Sequence, residues 1–121
     1  MSEPFATVLE LAHCADCGAH SFPARVYGCR VCGAPRERLN TVPCTQAVLR
    51  NMVTVHAELV PGLPVPCVIG EVELAPGVIE EALIGALDES ALTLGMALAP
   101  VAETAADGTL RWRFVPLEKA R

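Results

Sequence analysis

The chain has 121 residues, a hydrophobic share of 52%, six cysteines and a net charge of −5. That suits one ordinary domain, or a small metal-stapled module beside a compact one, and no apolar run reaches the length of a membrane span. Charge is uneven: residues 1–39 balance to zero, residues 40–110 carry −8 and residues 111–121 carry +3. A nucleic-acid binder shows a continuous basic footprint, so the acidic middle speaks against nucleic acid as a partner. The start, Met1-Ser2-Glu3-Pro4-Phe5, has neither a basic region nor an apolar signal core. With reduced thiols, this points to a cytoplasmic protein.

In chain order, Thr7 to His13 reads as a short strand leading into a first knuckle, Cys14-Ala15-Asp16-Cys17-Gly18. Phe22 to Tyr27 reads as a second strand leading to a second knuckle, Cys29-Arg30-Val31-Cys32-Gly33. Each C-x2-C turn lets two sulfurs point at one ion, and the following glycine can take a positive φ. Two such turns make a tetrahedral sulfur cage with Cys14, Cys17, Cys29 and Cys32 as metal ligands. Four thiolates close the coordination shell, so the expected ion is a structural zinc, with iron as the rival that sulfur ligation also suits. His13 and His20 flank the cage and are read as surface groups or as supports behind the ligands, not as ligands, since four sulfurs suffice.

Ala34 to Asn40 reads as a polar bridge into a second module. The predicted strands there are Thr45–Ala57, Cys67–Leu74, Val78–Leu87, Leu94–Thr104 and Leu110–Leu117. In the second, Val68, Gly70, Val72 and Leu74 alternate against Ile69, Glu71 and Glu73. Gly85 is a candidate bulge in the third. Val60 to Pro66 is a loop, because its prolines lack amide donors, and it is either a lid on the barrel or a stiff docking element. Asp88 opens a single helical turn. Five strands with a helical turn between the third and fourth suit an OB-type barrel. The expected fold is therefore mostly β, a rubredoxin-like zinc ribbon at residues 1–40 followed by a five-stranded OB-fold domain at residues 41–121.

No catalytic residue is expected. His56, near the end of the first long strand, is either a half-buried structural group or a polar contact to substrate. Cys44 and Cys67 lack an activating context and read as buried thiols. Glu80 and Glu81 are neighbours in a strand and point to opposite faces. Arg111 and Arg113 share one face of the last strand by period two, opposite Trp112 and Phe114; they suit a phosphate or simply a solvated face.

The pattern Cys-x2-Cys-Gly-x3-Phe-Pro-x-Arg…Cys-x2-Cys-Gly, with Phe22, Pro23 and Arg25 inside it, resembles the zinc-ribbon/OB-fold family of acyl-CoA-associated proteins. Val53-Thr54-Val55-His56, the Pro61 to Pro64 loop, Leu94-Gly95-Met96 and Arg111 to Pro116 extend the likeness from Val8 to Pro116. The resemblance implies a non-catalytic accessory subunit of a thiolase-superfamily enzyme that makes or breaks a carbon–carbon bond beside an acyl-CoA thioester. It implies CoA thioester as the bound substrate, with Phe22, Arg25, His56, Arg111 and Trp112 as candidates for contact to CoA or partner. Relatives usually carry an amphipathic helix before the ribbon, and here about a dozen residues precede Cys14. The alternatives are an OB-fold nucleic-acid module, which the few stacking rings disfavour, and a rubredoxin-like redox carrier.

Overall fold

The computed structural model describes residues 8–58, 65–85, 89–104, 108 and 110–117. The first sheet has three antiparallel strands, β1 (Glu10–Cys14), β2 (His20–Ser21) and β3 (Leu39–Pro43), in the order β2-β1-β3. β1 is the middle strand. It pairs from Glu10↔Pro43 to Cys14↔Leu39 on one side and through His13↔His20 on the other. The expected second strand over Phe22–Tyr27 is not formed: pairing stops at Ser21, and a run of bends follows. Pro23 supplies no amide to a ladder, which ends the strand where it had been expected to begin. The polar bridge is likewise more than a linker. Arg36–Arg38 make one 3₁₀ turn, and the chain then returns along β1 as β3.

The second sheet closes on itself. β4 (Ala47–Val55), β5 (Cys67–Ala75), β6 (Val78–Ile84), β7 (Ala97–Thr104) and β8 (Leu110–Pro116) form a barrel in the order β4-β5-β6-β8-β7. All pairings are antiparallel except β6 with β8, which meet in parallel at Leu83↔Arg113 and Ile84↔Phe114. This is the OB-type barrel the alternation pointed to. A 3₁₀ turn at Glu89–Ala91 lies between β6 and β7, tied to β4 by a 2.6 Å hydrogen bond from Thr54 Oγ1 to Glu89 Oε2. Asp88, residues 59–64 of the proline loop and most of the turn before β8 lie outside the described residues. Gly85 is not a bulge. It follows the end of β6 and donates to the Phe114 carbonyl at 2.7 Å, while the register shifts fall at Leu49/Asn51 and Glu73/Ala75. β7 starts three residues later than expected, because Leu94 and Gly95 form a turn with Gly95 at φ +93°.

The barrel interior is filled by Leu49, Val68, Val72, Ile84, Leu98 and Phe114, none more than 3% exposed. Gly70 on β5 completes the alternation by absence. A Cβ there would stand 2.9 Å from Leu49 Cδ1 and 3.1 Å from Ile84 Cδ1, so the missing side chain lets those two fill the space above β5. The apolar cluster does not stop at the barrel. Leu9 and Leu11, preceding and within β1, are buried in the same cluster as the barrel residues, with Phe22, Val42 and Trp112 packed against it. Burying one leucine contributes about 1.5–3 kcal/mol, so this shared core is a substantial bond between the two sheets. Cys44 sits at the joint. Its amide donates to Leu9 at 2.7 Å and its thiol reaches the carbonyls of Gln46 and Leu74. Cys44 and Cys67 are both buried free thiols, as expected.

Candidate metal centre and the seam beside it

The four knuckle sulfurs converge. Cys14, Cys17, Cys29 and Cys32 place their Sγ atoms all within 4.8 Å of one another. Across the knuckles, Cys14 and Cys32 are 3.6 Å apart and Cys17 and Cys29 are 3.5 Å apart. A tetrahedron with Zn–S bonds of about 2.3 Å has edges of about 3.8 Å. The spacing therefore fits such an ion with little movement, and an all-thiolate donor set fits a structural zinc.

Each knuckle is built the same way. Gly18 donates to the Cys14 carbonyl at 2.9 Å and Gly33 to the Cys29 carbonyl at 3.0 Å, with φ of +82° and +77°. Those left-handed positions are the reason for glycine after each cysteine pair. The turn also aims amides at sulfur: Val31 and Cys32 donate to Cys29 Sγ at 3.4 and 3.5 Å. The amides of Cys32 and Val31 hold the Cys29 thiol down to about 6. At Cys32 the Ala34 amide pulls the same way, but desolvation and the crowding sulfurs outweigh it and push the thiol up to about 12. One thiolate is thus favoured by the backbone itself, and a bound ion would supply the charge that deprotonates the others.

Around the cage, His13 and His20 face each other across β1 and β2 with ring centroids 4.9 Å apart. Burial, then the charges of His13 and Arg30, pull the His20 pKa down, so it adds no positive charge there at neutral pH. Among the described residues the candidate ligand group consists of the four cysteines alone. Asp16 of the first knuckle binds Arg38 at 2.6 Å, and Ala15 donates to the Arg38 carbonyl at 2.9 Å, fixing that knuckle to the start of β3. Arg30 of the second knuckle donates from Nε to the His20 carbonyl at 2.7 Å. The cage is therefore closed by sulfur and braced by its own neighbours, which is a structural arrangement and leaves no position for substrate.

Two of the remaining candidates meet. Phe22, from the ribbon, and Trp112, from β8, line one cleft of about 190 Å³ with Leu9, Leu74, Glu80, Glu81, Ala82 and Phe114. It opens where β6 and β8 diverge beyond their two paired residues, and the ribbon closes its other side. Arg111 stands on the opposite face of β8 from Trp112 and pairs with Glu103 of β7 at 3.3 Å. His56 is not half-buried; it is exposed just past the end of β4, and Arg25 is exposed in the bends after β2. Neither joins the cleft. Sequence reasoning missed Glu103, which lies opposite Arg111 in the β7–β8 ladder; only the register of that hairpin puts the two together.

Residues 8–37 match the family described as ChsH2, rubredoxin-like zinc ribbon domain. The match spans the ribbon and not the barrel. The chain is also similar in fold to a chain of the Ltp2-ChsH2(DUF35) aldolase, with a TM-score of 0.72 and 21% identity over 90% of this chain and 84% of that one. No curated protein matches the sequence. Among the described residues no helix is long and apolar enough to cross a membrane.

Proposed function

We propose that this chain is a non-catalytic accessory subunit of a thiolase-superfamily enzyme acting on acyl-CoA thioesters, in carbon–carbon bond cleavage or formation. The observation that carries the reading is the joined architecture. A ribbon that matches the ChsH2 zinc-ribbon model shares its core with an OB barrel, and the pair is similar in fold, over 90% of this chain, to a chain of the Ltp2-ChsH2(DUF35) aldolase. The side chains support an accessory role. Cys44 is buried against backbone carbonyls with its thiol pKa raised by that burial, which suits packing and opposes nucleophilic attack. Of the other thiols, all but Cys67 converge in the cage. Zinc, when bound, supplies a rigid crosslink and no reactive position. In this reading Phe22, Arg25, His56, Arg111 and Trp112 contact CoA or the catalytic partner, which contributes the nucleophile and bases.

The test is affinity capture of the tagged chain from its native source, with mass identification of co-purifying proteins and a thioester carbon–carbon cleavage assay on the eluate. Stable, stoichiometric recovery of a thiolase-superfamily protein is the expected result. Nucleic acid or ribosomal protein in its place would overturn the reading, and a visible iron–sulfur absorption band would replace it with a redox carrier.

A further inference from the structure

The cleft at the seam between ribbon and barrel combines aromatic rings with carboxylates. Phe22, Trp112 and Phe114 supply the rings, and Glu80 and Glu81 supply the carboxylates. Glu80 follows the alternation of Val78, Ala82 and Ile84 and is half-buried on the barrel side of β6. Glu81 is exposed on the outer side, directly opposite Glu71 in the β5–β6 ladder. Like charges placed opposite each other destabilise a sheet. Among the described residues none of these three carboxylates has a cation within ion-pair distance, since the salt bridges are made by Asp16, Glu73 and Glu103. A cation brought to the mouth of the cleft is therefore favoured.

The backbone adds a second feature. Gly85 donates to the Phe114 carbonyl at 2.7 Å, so every second residue of β6, Leu83 and Glu81 included, turns its amide and carbonyl toward β8. β8 pairs with Leu83 and Ile84 and then diverges, which leaves Glu81 on an open edge where the cleft lies. Such an edge is a template for an extended segment of another chain. The cavity, about 190 Å³, is smaller than the roughly 300–1,000 Å³ of sites that hold a drug-sized ligand. It has room for one side chain, and its carboxylates repel an anionic one. A guanidinium suits both halves of the lining, because it stacks on aromatic faces and pairs with a carboxylate through parallel hydrogen bonds.

We infer that the cleft is an anchor point for a partner protein, taking one arginine side chain from an extended segment that lies along the open edge of β6. Phe22 and Trp112 stack on the guanidinium, Glu80 receives it, and Glu81 with Glu71 attracts it from outside. Arginine and aromatic anchors of this kind carry much of the energy of a protein interface. The inference deepens the accessory-subunit reading by giving the chemistry of one docking point, and it rests on that reading only for the identity of the partner.

Trp112 is the chain's only tryptophan, so its fluorescence reports on the cleft directly. The experiment is titration of the zinc-loaded chain with capped five-residue peptides of valine and threonine around a central arginine, citrulline or glutamate, followed by that fluorescence and by amide chemical shifts. Saturable binding of the arginine peptide is expected, weakened about tenfold or more by citrulline in its place and by Glu80→Gln. The glutamate peptide should not bind. Glu81→Lys, at an exposed position, serves if melting curves show that Glu80→Gln disturbs the fold. An arginine peptide that fails to bind, binds no better than citrulline, or binds equally well in both variants overturns the anchor. In the capture experiment Glu81→Lys should recover about tenfold less partner than the parent. Equal recovery overturns the anchor and leaves the accessory reading standing. Arginine-specific peptide binding with no partner captured by the parent supports the anchor and counts against the accessory reading. A parent that dimerises in sedimentation, and a Glu81→Lys chain that does not, would put a second copy in the cleft and overturn its assignment to a partner.

Discussion

The guanidinium of Arg30 lies over Gly77, so the second knuckle touches the turn between β5 and β6: a Cβ placed on Gly77 would stand 3.4 Å from Arg30 Nη2. Gly77 has φ +80°, where side chains are disfavoured in any case. Gly77→Ala should therefore lower unfolding stability by about 1–2 kcal/mol, mostly from the backbone. Urea denaturation reads this as a lower midpoint at unchanged slope. Adding Arg30→Ala should restore little, because the strain belongs to φ rather than to the contact.

Cys29→Ser removes one of four ligands and the sulfur that two amides address. Structural zinc contributes on the order of 10 kcal/mol in finger peptides, comparable with the roughly 5–15 kcal/mol stability of a whole domain. The variant is expected to lose its zinc, measured by metal analysis, to unfold the ribbon and to lose its partner in the capture experiment. His56→Ala, at an exposed position, should leave zinc content and assembly intact. A Cys29→Ser chain that still assembles would show the cage to be dispensable.

Glu73 accepts from both Arg50 and the Gly77 amide, the latter at 3.1 Å, and these hold its carboxyl below the usual carboxylate range, Arg50 most of all. A lowered folded pKa means that the stabilisation is complete above the unfolded value, about 4.3. It is lost as pH falls through the lower folded value. Stability of the parent should drop across that acid window, and Glu73→Gln should show a shallower drop there. Denaturation midpoints collected from neutral pH downward test the sign.

Gly70→Ala places a methyl group 2.9 Å from Leu49 Cδ1 and 3.0 Å from the Asn51 carbonyl oxygen. The leucine can yield but the backbone of β4 cannot yield as cheaply. Overpacking of this kind costs about 1–3 kcal/mol, and thermal unfolding should show a lower Tm with the barrel topology kept.

The cage was legible because knuckle spacing and glycine placement are local, and local geometry is what decides whether sulfurs converge. The barrel was legible because β5 alternates cleanly, with Val68, Gly70, Val72 and Leu74 all inward. β3 was hidden. Its residues are mostly exposed and its stability comes from pairing with β1, a long-range partner that the segment itself does not name. The Phe22–Tyr27 strand failed for a reason present in the sequence, since Pro23 cannot donate to the ladder. Phe22 and Trp112 were each singled out separately, but their meeting in one cleft depends on how β1 seats against the barrel.

β1 hydrogen-bonds to both of its ribbon neighbours while Leu9 and Leu11 help fill the end of the barrel. The ribbon is consequently not a cassette that can be exchanged for another with the same four cysteines. A transplanted ribbon lacking those two leucines would leave a hole at the barrel end, and a barrel moved alone would present an apolar mouth to water. What can be inherited or grafted as a unit is the ribbon together with the seam that seats it.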